Sequence, residues 1–224
     1  RNMNRVKAAD RARKRVLEDD ELRAVWHACD ELSTFGALVK FALLTAQRKE
    51  KIATLRWDDI ADGVWAIRTE PREKGNAGRL QLPQVALDII AAQPRIEGNP
   101  YVFTAARGVG PFNSFSEWKA QLDARLPAHL THWTIHDLRR TARSLLSRAG
   151  VRPDISERVM GHAIAGVEGV YDRHRYDDEK AHALQALADL IDRILNPPAA
   201  NVVPLRAGVA EAGHPLERCA NTLV

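Results

Sequence analysis

Residues 35–44 constrain the fold of this chain more than any other stretch, because almost every side chain in them is apolar. The apolar residues recur at helical spacing: Phe35, Leu38, Val39, Ala42, Leu43 and Leu44. A helix that is apolar on nearly all sides has to be buried. No run of 18 apolar residues exists in the 224-residue sequence, so the segment is too short to span a membrane. The chain is therefore expected to bury this helix in a protein core.

Most of the remaining sequence also has helical periodicity. A first helix is expected from the helical spacing of Leu17, Leu22, Val25, Trp26 and Cys29, with Asp19 or Asp20 as its N-cap. Further helices are expected near 48–56, 84–93, 113–125, 136–149, 153–160 and 178–195. These segments predict a mainly α-helical protein.

One β-hairpin interrupts the helices. Strands are expected at 64–67 and 80–83, joined by a turn-rich tip at 71–78. With a further strand near 101–104, they would form a small three-stranded antiparallel sheet. The expected fold class is therefore α+β, in a single domain over residues 17–196.

The two ends of the chain differ from the domain between them. Residues 1–16 are basic, and they are either a solvated terminus or an arm that binds phosphates. Residues 197–224 are rich in Ala, Pro and Val and are expected to pack on the protein surface or on a neighbouring subunit. The formal net charge of +4 is compatible with a DNA partner. Two distant cysteines, Cys29 and Cys219, make no disulfide scaffold and favour a reducing, cytoplasmic setting.

The segment at 135–151 places a histidine and three arginines on one side of a helix: His136, Arg139, Arg140 and Arg143. His136 and Arg139 are three residues apart, so their side chains are neighbours. An imidazole can exchange a proton near neutral pH, and a guanidinium can hold two oxygens of one phosphate. From this helix alone, a phosphate-processing site and an ordinary solvated basic face both remain open.

Arg48 lies in the segment 43–60, where a buried helix ends and another begins. A charged residue beside so apolar a segment has either a buried partner or a ligand. It can equally be a capping or surface arginine, so this segment does not decide its role.

Tyr171 lies in the segment 159–176, nine residues after the pair Gly161–His162. The usual role of a tyrosine in such a context is to fill the core with its hydroxyl near water. A nucleophilic role is the alternative.

In their order and spacing these segments resemble the tyrosine recombinases of the phage integrase family, in particular integrases of prophages and genomic islands. The similar stretches are TAQR…LRWDDI, HDLRRT, MGH and GVYDRH. The resemblance covers about residues 17–195. It implies that 1–16 is a basic linker from an N-terminal DNA-binding region that is missing from this sequence.

The resemblance also implies a role for each matching residue. Arg48 and Arg139 resemble the two phosphate-binding arginines, with Arg140 as the alternative to Arg139. His136 resembles the general acid–base histidine, and His162 resembles the residue that hydrogen-bonds the scissile phosphate. Tyr171 resembles the nucleophile.

Two positions in the pattern are less clear. Lys74 is the best match to the family's hairpin lysine, although Arg72 and Arg79 flank it. Three residues after the first arginine the family usually has an acid, whereas this chain has Lys51.

The activity implied by the resemblance is site-specific DNA recombination through a 3′-phosphotyrosyl intermediate, without metal, other cofactor or ATP. The implied partners are double-stranded DNA attachment sites and accessory DNA-bending proteins. The chain is expected to be a tetramer on DNA and a monomer or weak oligomer when free, at the bacterial nucleoid. A type IB topoisomerase and a non-catalytic DNA-binding relative are the alternatives. A zinc site at His129, His132 and His136 is not expected, because no cysteine or acidic ligand set accompanies them.

Overall fold

A computed structural model describes residues 15–71, 73, 75–162 and 174–197 of the chain. Within them the α-helices are α1 (Asp19–Ala28), α2 (Ser33–Thr45), α3 (Lys49–Ala53), α4 (Gln84–Ala91), α5 (Phe115–Asp123), α6 (Ile135–Arg148), α7 (Pro153–Met160) and α8 (Asp177–Leu195). The prediction of a mainly helical chain with one small sheet is confirmed. The tail from residue 198 and residues 1–14 of the expected linker lie outside the described residues, so both interpretations stay predictions.

The N-cap of α1 is Glu18, so the prediction of Asp19 or Asp20 was wrong by one or two residues. The backbone N–H of Glu18 donates to Oε2 of Glu21 at 2.9 Å, which closes the first turn. Asp19 lies inside that turn and instead pairs with Arg148 at the end of α6, at 2.5 Å. The cap is therefore the first of four consecutive acidic residues, and the other three occupy the first turn, where the helix dipole favours negative charge.

The sheet consists of β1 (Ile60–Ala61), β2 (Val64–Ala66) and β3 (Arg79–Gln81), paired antiparallel in the order β1-β2-β3. The expected hairpin is therefore present, with Trp65 opposite Leu80. The expected third strand at 101–104 was wrong, because β1 takes that place. Instead, Val102 N–H donates to Leu55 O at 2.9 Å, and Tyr101 forms an isolated bridge with Arg56.

Helix α2 lies in the core, as its composition predicted. Phe41 on α2 contacts Trp65 of the sheet and Phe103, each with a ring-centroid separation of 5.6 Å. α2 also packs against α6 and α8, and α8 packs against α7 and β3. This packing brings the end of α2, the buried face of α6, the end of α7 and the hairpin to one place. No helix within the described ranges is long and apolar enough to cross a membrane.

Candidate active site

Arg48 is positioned by a tight reversal between α2 and α3. Ala46 has a φ of +55° and ends α2, and Arg48 is the N-cap residue of α3. Gln47 fixes the reversal by donating through Nε2 to the carbonyl oxygen of Val159 on α7, at 2.7 Å. The Arg48 side chain is 38% exposed, and its Nη1 donates to Gly75 O of the hairpin at 3.3 Å. Arg48 thus lies between the start of α3 and the hairpin.

A capping box places His136 at the first turn of α6. The backbone N–H and the hydroxyl of Thr134 both donate to Oδ2 of the buried Asp137, each at 2.9 Å. His136, between them, is exposed at the helix N-terminus. Partial desolvation lowers the pKa of His136, and the positive charges of Arg140 and Arg139 lower it further. His136 is therefore neutral at pH 7 and can accept a proton.

Arg139 is 4% exposed and lies beneath the same surface. Its Nη1 donates to Ala46 O at 2.5 Å, and its Nη2 donates to Met160 O at 2.6 Å. Burial lowers the pKa of Arg139 to about 10, and the nearby charge of Arg48 contributes. No carboxylate lies within ion-pair distance of its guanidinium in the part of the chain that the structure describes. The positive charge of Arg139 is therefore held by backbone carbonyls, and the carboxylate of Glu157 acts on it only from beyond ion-pair distance.

Arg140 has a different environment. Its Nη1 donates to Oδ1 of Asp137 at 2.5 Å, so its charge is paired on its own helix. Between the two neighbouring arginines, Arg139 is the one that reaches the other predicted site residues.

A Schellman motif at the end of α7 positions His162. Gly161 has a φ of +66°, the N–H of His162 donates to Glu157 O at 3.0 Å, and the N–H of Gly161 donates to Arg158 O at 3.1 Å. The His162 ring then lies with Nε2 3.0 Å from Nη2 of Arg139 and with Nδ1 hydrogen-bonded to Oε2 of Glu157. His162 and Arg139 are thus in direct contact, and Glu157 is a neighbour that the sequence reasoning missed. The signal for it was the helix-ending Met160–Gly161–His162 sequence, because this motif brings the side chains at 157 and 162 together.

The hairpin tip meets Arg48 through Glu73. Glu73 Oε1 is 3.7 Å from Nη1 of Arg48, and Glu73 Oε2 accepts from Nζ of Lys51 at 2.9 Å. Burial raises the pKa of Glu73, but hydrogen bonds from Lys51 and from the Glu70 backbone hold it below its ordinary value. A carboxylate therefore does lie beside Arg48, but it comes from the hairpin, and Lys51 binds it. Lys51 stands out in the sequence, but no local pattern there identifies Glu73 as its partner.

The base of the hairpin is fixed on two further sides. Lys180 of α8, only 4% exposed, donates through Nζ to Ala77 O at 2.9 Å and to Arg79 O at 2.8 Å. Gly161 lies so close that a Cβ there would be 2.4 Å from Ala77 N. Arg79, which flanks Lys74 in the sequence, lies in β3, and among the described residues no contact joins its side chain to Arg48, Arg139 or His162. Lys180 had no signal in the sequence, since nothing local predicts burial of a lysine in the first turn of a helix.

Lys74, its alternative Arg72, and Tyr171 lie outside the described residues. Gly75 and Glu73, on either side of Lys74, are both in contact with Arg48. Tyr176 is described and is the N-cap of α8, with a φ of +53°. The guanidinium carbon of Arg158 lies 3.8 Å from the centre of the Tyr176 ring, and His174 packs edge-on against it at 4.5 Å.

A family model described as "Phage integrase family" matches residues 15–177, a range that includes all six predicted site residues. Prophage integrase IntF of Escherichia coli (strain K12) is 28% identical over 166 residues, which are 71% of this chain and 35% of IntF. The chain therefore spans about a third of the length of this curated relative.

Among solved structures, the lambda integrase catalytic core has a TM-score of 0.52 at 19% identity, over 66% of this chain and 94% of that one. A lambda integrase dimer bound to a COC′ core site has a TM-score of 0.52 at 17% identity, over 67% and 58% of the two chains. A lambda integrase tetramer bound to a Holliday junction has a TM-score of 0.51 at 16% identity, over 71% and 48%. The fold of the chain is that of the lambda integrase catalytic core.

Proposed function

We propose that this chain, which belongs to the phage integrase family, is the catalytic domain of a site-specific DNA recombinase that cuts and rejoins DNA through a covalent bond to Tyr171. The observation that carries the proposal is the buried guanidinium of Arg139, which forms no direct ion pair among the described residues and lies next to Arg48 and His162. A buried guanidinium without a carboxylate is costly unless an anion completes the site. Two arginines and an imidazole suit the non-bridging oxygens of one phosphodiester.

The chemistry uses these groups, the hydroxyl of Tyr171, and two residues that transfer protons, His136 and Lys74. The Tyr171 oxygen attacks phosphorus and gives up its proton, and the bond from phosphorus to the 5′-oxygen breaks as the new bond forms. His136 is suited to accept the tyrosine proton, because its lowered pKa leaves the imidazole unprotonated at pH 7. Lys74 would donate a proton to the departing 5′-oxygen. The products are a 3′-phosphotyrosyl bond and a free 5′-hydroxyl, and a 5′-hydroxyl from a partner strand reverses the steps. The bond energy is conserved, so ATP is not required.

The arginines would supply the charge stabilisation that metal ions supply in other phosphoryl-transfer enzymes. The substrate is double-stranded DNA at an attachment site, bound across the face that exposes His136 and Arg48. We expect a tetramer on two duplexes, in line with the lambda integrase tetramer on a Holliday junction. Accessory DNA-bending proteins and action at the bacterial nucleoid, in the cytoplasm, complete the proposal.

Trapping on a nicked suicide substrate tests the nucleophile. A wild-type chain should form a covalent adduct that maps to Tyr171, and Tyr171→Phe should bind the DNA without forming one. Tyr176→Phe is the matched control and should still form the adduct, because the Tyr176 ring is held by Arg158 and His174. An adduct formed by Tyr171→Phe would refute the assignment. Recombination between two sites, as opposed to relaxation of one supercoiled duplex alone, distinguishes a recombinase from a topoisomerase.

A further inference from the structure

Glu157 is the neighbour of His162 that the proposed reaction does not use. It lies on α7 between two partners: Oε1 accepts from Nε of Arg143 at 2.8 Å, and Oε2 faces Nδ1 of His162. Burial raises the pKa of Glu157, but the hydrogen bonds from His162 and Arg143 hold it below its ordinary value. Glu157 is therefore an ionised carboxylate at neutral pH, and its oxygens only accept hydrogen bonds.

The two contacts of His162 determine where its proton lies. Arg139 can only donate, so Nε2 of His162, 3.0 Å from Arg139 Nη2, has to present a lone pair. Glu157 can only accept, so Nδ1 has to carry a hydrogen. In the free protein the ring is therefore the neutral tautomer with its hydrogen on Nδ1.

A phosphate oxygen that binds to Arg139 and His162 changes the requirement at Nε2. The oxygen is an acceptor, so Nε2 now needs a hydrogen to donate. Moving the hydrogen from Nδ1 to Nε2 would leave a bare Nδ1 facing the carboxylate of Glu157, with two acceptors opposed. The alternative is to keep the hydrogen on Nδ1 and take a second proton from solvent.

We propose that Glu157 is a positioning residue that makes His162 bind the scissile phosphate as an imidazolium. The proposal rests on the proposed function, since it assumes that a phosphate reaches His162. Five charged groups set the outcome. Glu157 of α7 and the phosphate favour the cation, Arg139 of α6 disfavours it, and Arg143 acts through Glu157. Arg48 acts on the ring through its effect on Arg139. When DNA is bound, the phosphate neutralises the charge of Arg139, and Glu157 stabilises the second proton on the His162 ring.

The first part of the test needs no DNA. In the ¹⁵N-histidine-labelled chain, with the His162 signals assigned from His162→Gln, we expect a protonated Nδ1 and an unprotonated Nε2. In Glu157→Gln, the pH at which the ring gains its second proton should fall by about one unit or more, because an opposite charge within about 4–6 Å is lost. Asp154→Asn is the control, since Asp154 lies on the same helix and pairs with Arg152. A neutral ring with its hydrogen on Nε2 in the wild-type chain would overturn the proposal.

The second part compares adduct formation on the suicide substrate at pH 6 and pH 8. Glu157→Gln should be slower than wild type by about tenfold or more at pH 8 and by less than about threefold at pH 6, where solvent supplies the second proton. Asp154→Asn should match wild type at both. A merely structural role for Glu157 predicts the same ratio of wild-type to Glu157→Gln rates at both pH values, and that result would overturn the inference. If the wild-type chain had the predicted tautomer and titration but formed no adduct, the proposed function would fail while the assignment of Glu157 stood on the NMR data.

Discussion

Adding a single methyl group at Gly161 should push the hairpin away from the active site. A Cβ added there would lie 2.4 Å from Ala77 N and 2.5 Å from Asn76 C, both of them backbone atoms. Ordinary contact begins near 3.4 Å, so the hairpin strand has to retreat by about 1 Å. The backbone of Gly161 also has a φ of +66°, which costs an L-residue about 1–2 kcal/mol.

Gly150 provides a matched control. It ends α6 in the same type of motif, with N–H bonds from Gly150 to Ser147 O and from Val151 to Leu146 O. Its φ is +81°, and a Cβ there would meet nothing within 4 Å. Gly150→Ala should therefore lower the free energy of unfolding by about 1–2 kcal/mol for the backbone conformation alone. Gly161→Ala should cost about 1–3 kcal/mol more for the contact with the hairpin.

Urea unfolding of both variants measures these costs, and suicide-substrate cleavage measures their effect on the site. Cleavage by Gly161→Ala should fall about 10²-fold, since an error of about 1 Å in the position of a catalytic group has that effect. Cleavage by Gly150→Ala should stay near wild type. Because Asn tolerates positive φ, Gly161→Asn and Gly150→Asn repeat the comparison with less backbone strain. If Gly161→Ala were as stable and as active as Gly150→Ala, the argument that Gly161 docks the hairpin would be refuted.

Two further predictions concern the phosphate-binding arginine and the protonation of the leaving group. Arg139→Lys should lower cleavage of the suicide substrate about 10²-fold or more, because a point charge cannot bind two oxygens in one plane. Arg140→Lys should cleave normally, because Arg140 is paired with Asp137. The opposite ranking would make Arg140 the phosphate-binding arginine. Lys74→Ala should cleave slowly when the leaving group is a 5′-oxygen and regain its rate with a 5′-thiol, which leaves without protonation; an unchanged defect on the thiol substrate would limit Lys74 to binding.

Local sequence patterns predicted the helices well because each pattern reflects forces that act within one element. The apolar run at 35–44 predicted a buried helix, and α7 begins and ends at the residues expected, 153 and 160. The third strand was predicted wrongly for a physical reason. Residues 101–104 could join the sheet only at a free edge of one of its strands. In the structure β1 pairs with the edge of β2, and residues 100–102 form hydrogen bonds with the backbone at 55–57 instead.

The sequence by itself determined which residue types the site could use and the order in which they follow one another. It left Arg139 and Arg140 as alternatives, and it showed Lys51 without a partner. Only the tertiary structure shows that Arg139 is buried, that Arg140 is paired with Asp137 and that Lys51 binds Glu73, because burial and the partner of Lys51 depend on contacts between residues far apart in the chain. Arg139 is held by carbonyls 93 and 21 residues away, and Lys51 by Glu73, 22 residues away on the hairpin. Burial and charge pairing are properties of the packed chain, and no periodicity or spacing within one segment specifies them.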